Sequence, residues 1–403
     1  MDMNGVNNDY DIVGVFKKYI DKDVNIENLY LELASNGVIN SFFEQMKNTE
    51  QNKEYHAEGN VWNHTKLVLD RLKSMQEFYS FSEKDRIELM IAAVFHDIGK
   101  IKTTKMIDGK LSSPHHAQKG EQMMRKFLWR NCNMAGSKEL QCMRENICTL
   151  IRYHMRPYYI MDSDEAEASI FLIEISVRGE LIDRFTIEKL CVLSMADSLG
   201  RICEDSKKSY EQVQLCMLMA DDLECLNKPF LFADEHAKRA YFSGRNVNPY
   251  QTLYDDTWGT VYLVSALPGT GKDTWIKENM PSIPMISLDE IRKELKIKPT
   301  GGQGEVVRYA RELAKEYLRK KQSFVWNATN LTIDLRKKLI RLFENYGANV
   351  VIIYLETDWK TELTRNFSRI ESKQVPFDVL AKMQSQIELP SILEAREVRW
   401  ICT

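Results

Sequence analysis

Five histidines and two aspartates recur through the first half of the chain in settings that suit metal ligation. They are His64 in GNVWNHT, the doublet His96-Asp97 in AAVFHDIGK, His115-His116 in SPHHAQKG, His154 in RYHMRP, and Asp197 in MADSLGR. Imidazole and carboxylate hold divalent transition metals while leaving positions open for water or substrate. Adjacent His96 and Asp97 let one backbone segment deliver two ligands. A divalent ion on such donors lowers the pKa of water and neutralises phosphoryl charge, so the chemistry indicated is metal-assisted phosphoester hydrolysis. His115 suits a loop as well as a site, and His56 and His236 are set aside as non-functional. Lys100, about one helical turn beyond Asp97, suits either a phosphate contact or a solvated lysine at a helix C-terminus, and Arg156 is a similar candidate.

A second chemistry is written in the other half. Ala266-Leu267-Pro268-Gly269-Thr270-Gly271-Lys272-Asp273-Thr274 follows a strand-like run and opens a helical one. That is the context of a loop whose glycines turn backbone N–H groups toward phosphates. Lys272 would reach the β- and γ-phosphates. Two positions depart from G-x-x-x-x-G-K-[ST]: Ala266 stands at the first glycine and Asp273 at the hydroxyl position. Asp273 replaces a neutral magnesium ligand with a carboxylate, which binds the ion more strongly but repels phosphate if unscreened.

Asp289 in ISLDEIRKEL, at the end of the next strand, is placed to accept a proton from an acceptor hydroxyl. Arg292, three residues on, shares its helix face and would grip a phosphate of the acceptor. Arg365 and Arg369 in LTRNFSR form an i,i+4 pair suited to clamping ATP phosphates from a lid. Thr329 and Asn330 suit either an acceptor cleft or packing at a strand end.

The elements that must carry these residues divide the chain in two. Residues 1 to about 240 show apolar spacing of three and four, as at 66–75, 88–95, 120–128, 139–153 and 187–199, which predicts helices. The pattern breaks across SGRNVNPYQTLYDDTWG. Beyond it, strands in TVYLVSAL, PMISL, SFVWNA and ANVVIIYLE alternate with helices at 305–320 and 333–346, and two further helices close the chain. Continuous apolar strands alternating with helices predict a mostly parallel sheet covered on both faces. The expectation is therefore an all-helical domain over 1–242, with its motif core at about 55–205, a linker at 243–257 and an α/β domain over 258–403.

At 403 residues the chain has room for these two folds. A formal charge of −3 gives no broad basic surface for nucleic acid, although residues 258–403 sum to about +5 and the rest to about −8. The longest apolar runs, 261–267 and 350–355, are strand-sized, too short to span a bilayer. MDMNGVNNDYD is unlike a secretory signal, and eight cysteines contain no C-x-x-C pair, so a cytoplasmic protein with reduced thiols and no membrane partner is expected.

The ordered set His64, His96-Asp97, His116, His154 and Asp197 resembles the HD phosphohydrolase superfamily over about residues 55–205. EGNVWNHT, VFHDIGK and RYHMRP are particularly similar to the HD domains of bacterial tRNA nucleotidyltransferases. The resemblance implies that His64, His96, Asp97 and Asp197 hold one ion, and that His116 and His154 hold a second when there are two, with Asp97 bridging. LPGTGKDTW, SLDEIR, ATNL, LTRNFSR and VPFDVLAKM resemble the 5′-OH polynucleotide kinase domain of bacteriophage and bacterial end-healing enzymes. That implies Lys272 on the phosphates, Asp289 as general base, Arg292 on the acceptor's 3′-side phosphate, and Arg365 and Arg369 as lid arginines. Where that family has Ser or Thr, this chain has Asp273.

Together the halves resemble the bifunctional HD-Pnk enzymes of RNA repair. The resemblance implies ATP or another NTP as donor, Mg²⁺ in the kinase site, one or two divalent transition-metal ions in the HD site, and RNA or DNA ends as substrates. Whether the chain forms a homodimer, or works beside a separate RNA ligase, stays open. So do an HD nucleotidase or cyclic-nucleotide phosphodiesterase fused to a small-molecule kinase, and a non-transferring nucleotide sensor that regulates an HD hydrolase.

Overall fold

The computed structural model of the protein describes residues 9–297, 301–370 and 373–403. The chain divides into two compact units, one of residues up to 134 together with 139–230, the other of 135–138 with 231–403. The helix Glu235–Phe242 therefore belongs to the second unit, although sequence periodicity assigned it to the first.

The first unit is helical because its apolar residues repeat with helical period and its helix starts are capped. Val61–Ser74 is capped by Asn60, whose side chain accepts from the Asn63 amide, and it buries His64, Val68, Leu69 and Leu72 on one face. Glu83–Phe95 starts at the Ser82 cap with Glu83 and Asp85 in its first turn, where the helix dipole favours acids. From Ile87 to Phe95 it is buried on all sides, as a central helix must be. His116–Arg130, Lys138–Tyr153 and Ile187–Gly200 complete the set that carries the expected metal ligands.

Helix Val61–Ser74 packs on both Ile187–Gly200 and Glu83–Phe95, so His64 comes to the same place as the HD doublet and Asp197. Gly99 allows the turn after Asp97 to lie against the start of His116–Arg130. A Cβ there would fall 2.0 Å from the His116 carbonyl oxygen, so any side chain would push His116 away from Asp97.

A small antiparallel hairpin interrupts this helical unit: β1 (Lys105–Ile107) pairs with β2 (Lys110–Ser112). Asp108 and Gly109, with φ of 49° and 77°, make the tight turn that suits the twist of two strands. The Asp-Gly pair was a readable hairpin signal, but strands of three residues with mostly exposed side chains lack a buried face and so lack clear alternation.

The second unit holds a five-stranded, wholly parallel sheet. Its strands are β3 (Thr260–Ala266), β4 (Met285–Ser287), β5 (Phe324–Asn327), β6 (Asn349–Glu356) and β7 (Glu397–Cys402), in the order β4-β5-β3-β6-β7. Val264, Ala266, Val325, Val351, Ile353 and Leu355 form a core on the sheet, with Ile276 of the helix Lys272–Asn279 packed against it. The sequence reading closed the chain with helices and missed β7. An edge strand whose side chains are mostly half-exposed, with charges in EVRWIC, does not show the continuous apolar run of a central strand.

Central β3 has β5 on one side and β6 on the other. The chain leaves β3 for one side of the sheet and later crosses to the other, and such switch points form ligand crevices at strand C-termini. The loop at the end of β3 is 266–274, the glycine-rich segment.

One buried ion pair fixes the loop after β5. Arg336 donates to both carboxylate oxygens of Glu394 at 2.7 and 2.8 Å and to the Asn330 carbonyl at 3.0 Å. Replacing the fully buried Arg336 by Ala would leave the Glu394 carboxylate, whose side chain is 9% exposed, without its counter-charge, so urea denaturation of the Arg336→Ala chain should show a loss of about 3 kcal/mol. A loss below about 1 kcal/mol would mean that the pair is no better than a surface contact.

Candidate functional site

Three imidazoles in the helical unit are prepared by the same local device. His96 Nδ1 lies 2.8 Å from the Ala93 carbonyl oxygen, His116 Nδ1 2.8 Å from that of Ser113, and His154 Nδ1 2.8 Å from that of Ile151. A carbonyl oxygen only accepts, so each Nδ1 carries a proton, and in the neutral ring each Nε2 presents a lone pair. Each carbonyl lies three residues earlier, and those of Ala93 and Ile151 are in last helical turns, where backbone acceptors lack intrahelical partners.

The three Nε2 atoms converge on Asp97. His96 Nε2 is 3.4 Å from Asp97 Oδ2, while His116 Nε2 and His154 Nε2 lie 3.2 and 3.8 Å from Oδ1. Lys100 does not extend toward solvent. Its ammonium is 2.7 Å from Asp97 Oδ2 and 2.6 Å from Gln51 Oε1. Burial alone would raise the Asp97 carboxyl, but the Lys100 ammonium beside it overcomes this and the carboxyl lies well below the usual range.

His64 bridges to the other aspartate. Its Nε2 is 2.9 Å from Asp197 Oδ1 and 3.8 Å from Asp97 Oδ2, while its Nδ1 is 2.9 Å from Glu58 Oε1. Asp197 is held further by Tyr158, whose hydroxyl donates to Oδ2 at 2.6 Å, and by Arg201, whose Nη2 donates to the same oxygen at 2.8 Å. Burial lowers His154 to about 3, leaving it neutral and able to ligate.

The donor chemistry fits a divalent metal. His64, His96 and Asp197 bring ligand atoms within 4.8 Å of one another, and so do His96, Asp97 and His154. The buried atoms His96 Nε2, His116 Nε2 and Asp97 Oδ1 have no hydrogen-bond partner. Orphan lone pairs facing one another are costly in a protein interior unless something electron-poor sits among them. A cavity of about 620 Å³ opens beside them, lined by Lys100, His116, His154, Arg201 and the hairpin β1–β2.

Sequence reasoning missed Glu58, Tyr158 and Arg201, and it set His56 aside. Glu58 Oε1 also lies 2.8 Å from His56 Nδ1, and the His56 ring packs edge-on against His64, 4.7 Å between centroids. Burial would raise the Glu58 carboxyl, but His56 and His64 hold it below its ordinary value. The available signals were helical spacing, since Arg201 is four residues from Asp197, and Glu58's place inside the EGNVWNHT motif. His115 stands exposed with a left-handed φ of 56° and is not in the cluster, and Arg156 lies over the Phe171 ring at 4.4 Å.

In the second unit the glycine-rich loop joins β3 to the helix Lys272–Asn279. Gly269 takes a φ of 97°, and a Cβ there would meet the Glu362 carbonyl oxygen at 2.7 Å, so only glycine fits. Thr270 turns inward, its hydroxyl donating to the Leu267 carbonyl at 2.9 Å, and Pro268 is half-buried. Lys272 Nζ is 3.2 Å from Asp273 Oδ1 and 4.0 Å from Asp289 Oδ2. Asp289 and Arg292, on the helix Leu288–Glu294, contact each other, and Arg292 Nε donates to Gln303 at 3.1 Å.

Gly269, Gly271, Thr274, Arg365, Arg369 and Thr403 are among the residues lining a second cavity of about 620 Å³. Arg365 Nη1 reaches the Thr270 carbonyl at 3.4 Å. Asn330 faces the sheet instead of a cleft: its amide donates to the Val264 carbonyl at 2.6 Å, and its own carbonyl accepts from Ser265 and Arg336. Of the two readings open for Asn330, these bonds are those of packing at a strand end. Thr329 is half-buried, and its backbone carbonyl accepts from the Ala266 amide at 3.0 Å.

Comparison with known families agrees with this division. Residues 61–202 match the family model described as an HD domain, and residues 261–390 match one described as an AAA domain. The chain thus joins an HD domain, of the metal-dependent phosphohydrolase kind, to a P-loop kinase-like domain, a kind of domain that in general uses nucleotide and Mg²⁺. Among the described residues, no helix is long and apolar enough to cross a membrane.

A ligand that binds only the folded state stabilises it by about 2.7 kcal/mol at a hundredfold excess over Kd. For a unit of this size that is roughly a 5–10 °C rise in the unfolding midpoint. Mn²⁺ or Ni²⁺ added to metal-stripped protein should raise the midpoint of the helical unit accordingly in a thermal-shift measurement. Asp97→Asn combined with Asp197→Asn should abolish the rise. A wild-type midpoint unmoved by any divalent ion would refute the metal assignment.

Proposed function

We propose that the protein heals broken RNA ends. Its P-loop domain phosphorylates 5′-OH polynucleotide ends with ATP, and its HD domain removes 2′,3′-cyclic, 2′- or 3′-phosphate from the opposite kind of end. The observation that carries this reading is that one chain holds both a convergent His/Asp cluster and a phosphate loop with a strand-end carboxylate, Asp289, 4.0 Å from its lysine. Broken RNA presents one end of each kind, and neither is joined by a typical ligase. The reading places the protein in the cytoplasm, with RNA or DNA ends and a nucleoside triphosphate as partners.

In the kinase domain, loop amides and Lys272 bind the β- and γ-phosphates, and Arg365 and Arg369 approach them from the second cavity's wall. Asp289 takes the proton of the 5′-hydroxyl as that oxygen attacks the γ-phosphorus in line, and ADP leaves. Arg292 both orients Asp289 and meets the phosphate next to the acceptor hydroxyl. Thr329, in the loop after β5, borders the acceptor.

In the HD domain, His64, His96, Asp97 and Asp197 would hold one divalent ion, and His116 and His154 a second, with Asp97 shared. A bound ion supplies Lewis acidity, making water nucleophilic at neutral pH and offsetting charge on the phosphoryl group. Lys100, tethered by Gln51, and Arg201 lie on the cavity wall, where they receive the anionic end and keep Asp97 and Asp197 oriented.

Two variants separate the centres. Asp289→Ala should lower 5′ labelling of a 5′-OH oligoribonucleotide by at least a hundredfold while phosphate release from a 2′,3′-cyclic-phosphate oligoribonucleotide continues. His96→Ala with Asp97→Ala should do the reverse. Transfer to free nucleosides in preference to oligonucleotides would point to a small-molecule kinase, and ATP binding without any transfer would point to a sensor.

A further inference from the structure

In P-loop enzymes the magnesium ion that accompanies the nucleotide is held by two protein groups. One is the hydroxyl that follows the loop lysine, and the other is a carboxylate at the end of a neighbouring strand. Here the first position is Asp273. One of the two strands that neighbour β3 is β5, and its last residue is Asn327. Each position carries the chemical type that belongs to the other: a carboxylate stands where a neutral oxygen is usual, and a neutral oxygen where the carboxylate is usual.

The two side chains meet. Asn327 Nδ2 donates to Asp273 Oδ1 at 2.8 Å, across 54 residues of sequence. This fixes the amide orientation, so the Asn327 carbonyl oxygen is the atom left over. That atom is buried without a hydrogen-bond partner, on a residue only 3% exposed. An orphan acceptor at this depth needs an electron-poor partner. Asp273 Oδ1 is also engaged by Lys272 at 3.2 Å, while the Asp273 side chain as a whole remains half-exposed at the start of its helix.

We propose that Asp273 and Asn327 form the magnesium-ligating pair of the nucleotide site, with carboxylate and neutral oxygen exchanged between their usual positions. The exchange conserves charge. One carboxylate in the pair gives the same net charge as the usual hydroxyl and aspartate, so the added acid at Asp273 does not raise the repulsion that a triphosphate meets. Two carboxylates at these positions would sit within hydrogen-bonding range of each other, and like charges that close disfavour ionisation of both. Asn327 is therefore the residue that makes Asp273 tolerable, and the amide holds the carboxylate facing the loop. The inference rests on nucleotide binding by the P-loop domain and is independent of which acceptor is phosphorylated.

The test uses the full chain, Mn²⁺ as probe and ADP as nucleotide, with no acceptor present. Mn²⁺ bound to the protein–ADP complex is read by electron paramagnetic resonance, and ADP affinity by calorimetry. Asp273→Thr leaves the pair with no carboxylate and should weaken Mn²⁺ binding in the ADP complex by about 10–100-fold. Asn327→Asp supplies two carboxylates and should weaken ADP binding when metal is absent. Asp273→Thr with Asn327→Asp restores the usual arrangement and should recover Mn²⁺ affinity to within a few-fold of wild type.

Asp273→Asn, which keeps shape and removes charge, stands in if Asp273→Thr unfolds by circular dichroism. The proposal is overturned if either charge-removing variant binds Mn²⁺ as wild type does, or if the double exchange binds no better than Asp273→Thr alone. Failure of 5′-OH transfer to RNA would count against the proposed function but leave these binding results intact.

Discussion

A carboxylate taken out of water has to be answered by charge and hydrogen bonds supplied from the protein, and in the helical unit that carboxylate is Asp97. It is 2% exposed, and Lys100, His96, His116 and His154 all approach its two oxygens. The cost of burying an isolated carboxylate is many kcal/mol, so neither the Lys100 ammonium at 2.7 Å from Oδ2 nor an electron-poor group at the unpaired Oδ1 is optional. Much of the surrounding architecture serves those partners. Gln51 anchors the lysine, Gly99 permits the approach of His116, and the central helix Glu83–Phe95 ends where the doublet begins.

The imidazoles show how such a centre is assembled without a loop dedicated to it. A histidine just past a helix end can satisfy a carbonyl in the last turn with Nδ1 and still project Nε2 onward. His96 and His154 do this at two helix ends, and His116 repeats the same three-residue bond at a helix start. Helix termination and ligand orientation are thus one event. Asp197 is handled differently: it lies inside the helix Ile187–Gly200, and its geometry comes from side chains, Tyr158, Arg201 and His64.

This difference explains what was legible in the sequence. Helical periodicity and continuous apolar strand runs exposed both folds, because burial on one face or two is written directly in residue type. The ligand histidines stood out by rarity and by flanking motif. Glu58, Tyr158 and Arg201 did not, since acids, tyrosines and arginines are common and their roles exist only once helices cross. Strand β7 and the hairpin were missed for a related reason: both are partly exposed and carry charges, so the alternation that marks a strand is weak in them. Asn330, for which both a cleft and strand-end packing stood open, ties β3 to the loop after β5, a choice that strand-end position alone could not make.

Asp273 illustrates the limit most sharply. Taken with its neighbours in sequence, it is a damaged phosphate loop, a negative charge set where an anion must bind. Taken with its neighbours in space, it is an acid already engaged by Lys272 and Asn327. Burial would raise it, and those two groups hold it below its ordinary range, so it is an ionised, oriented carboxylate. The partner that changes its meaning comes from β5, which reaches the loop only because a parallel sheet sets that strand beside β3. A departure from a local motif is therefore interpretable only with the residue that answers it, and in a parallel α/β sheet that residue sits at the end of the adjoining strand, a full crossover or more away in sequence.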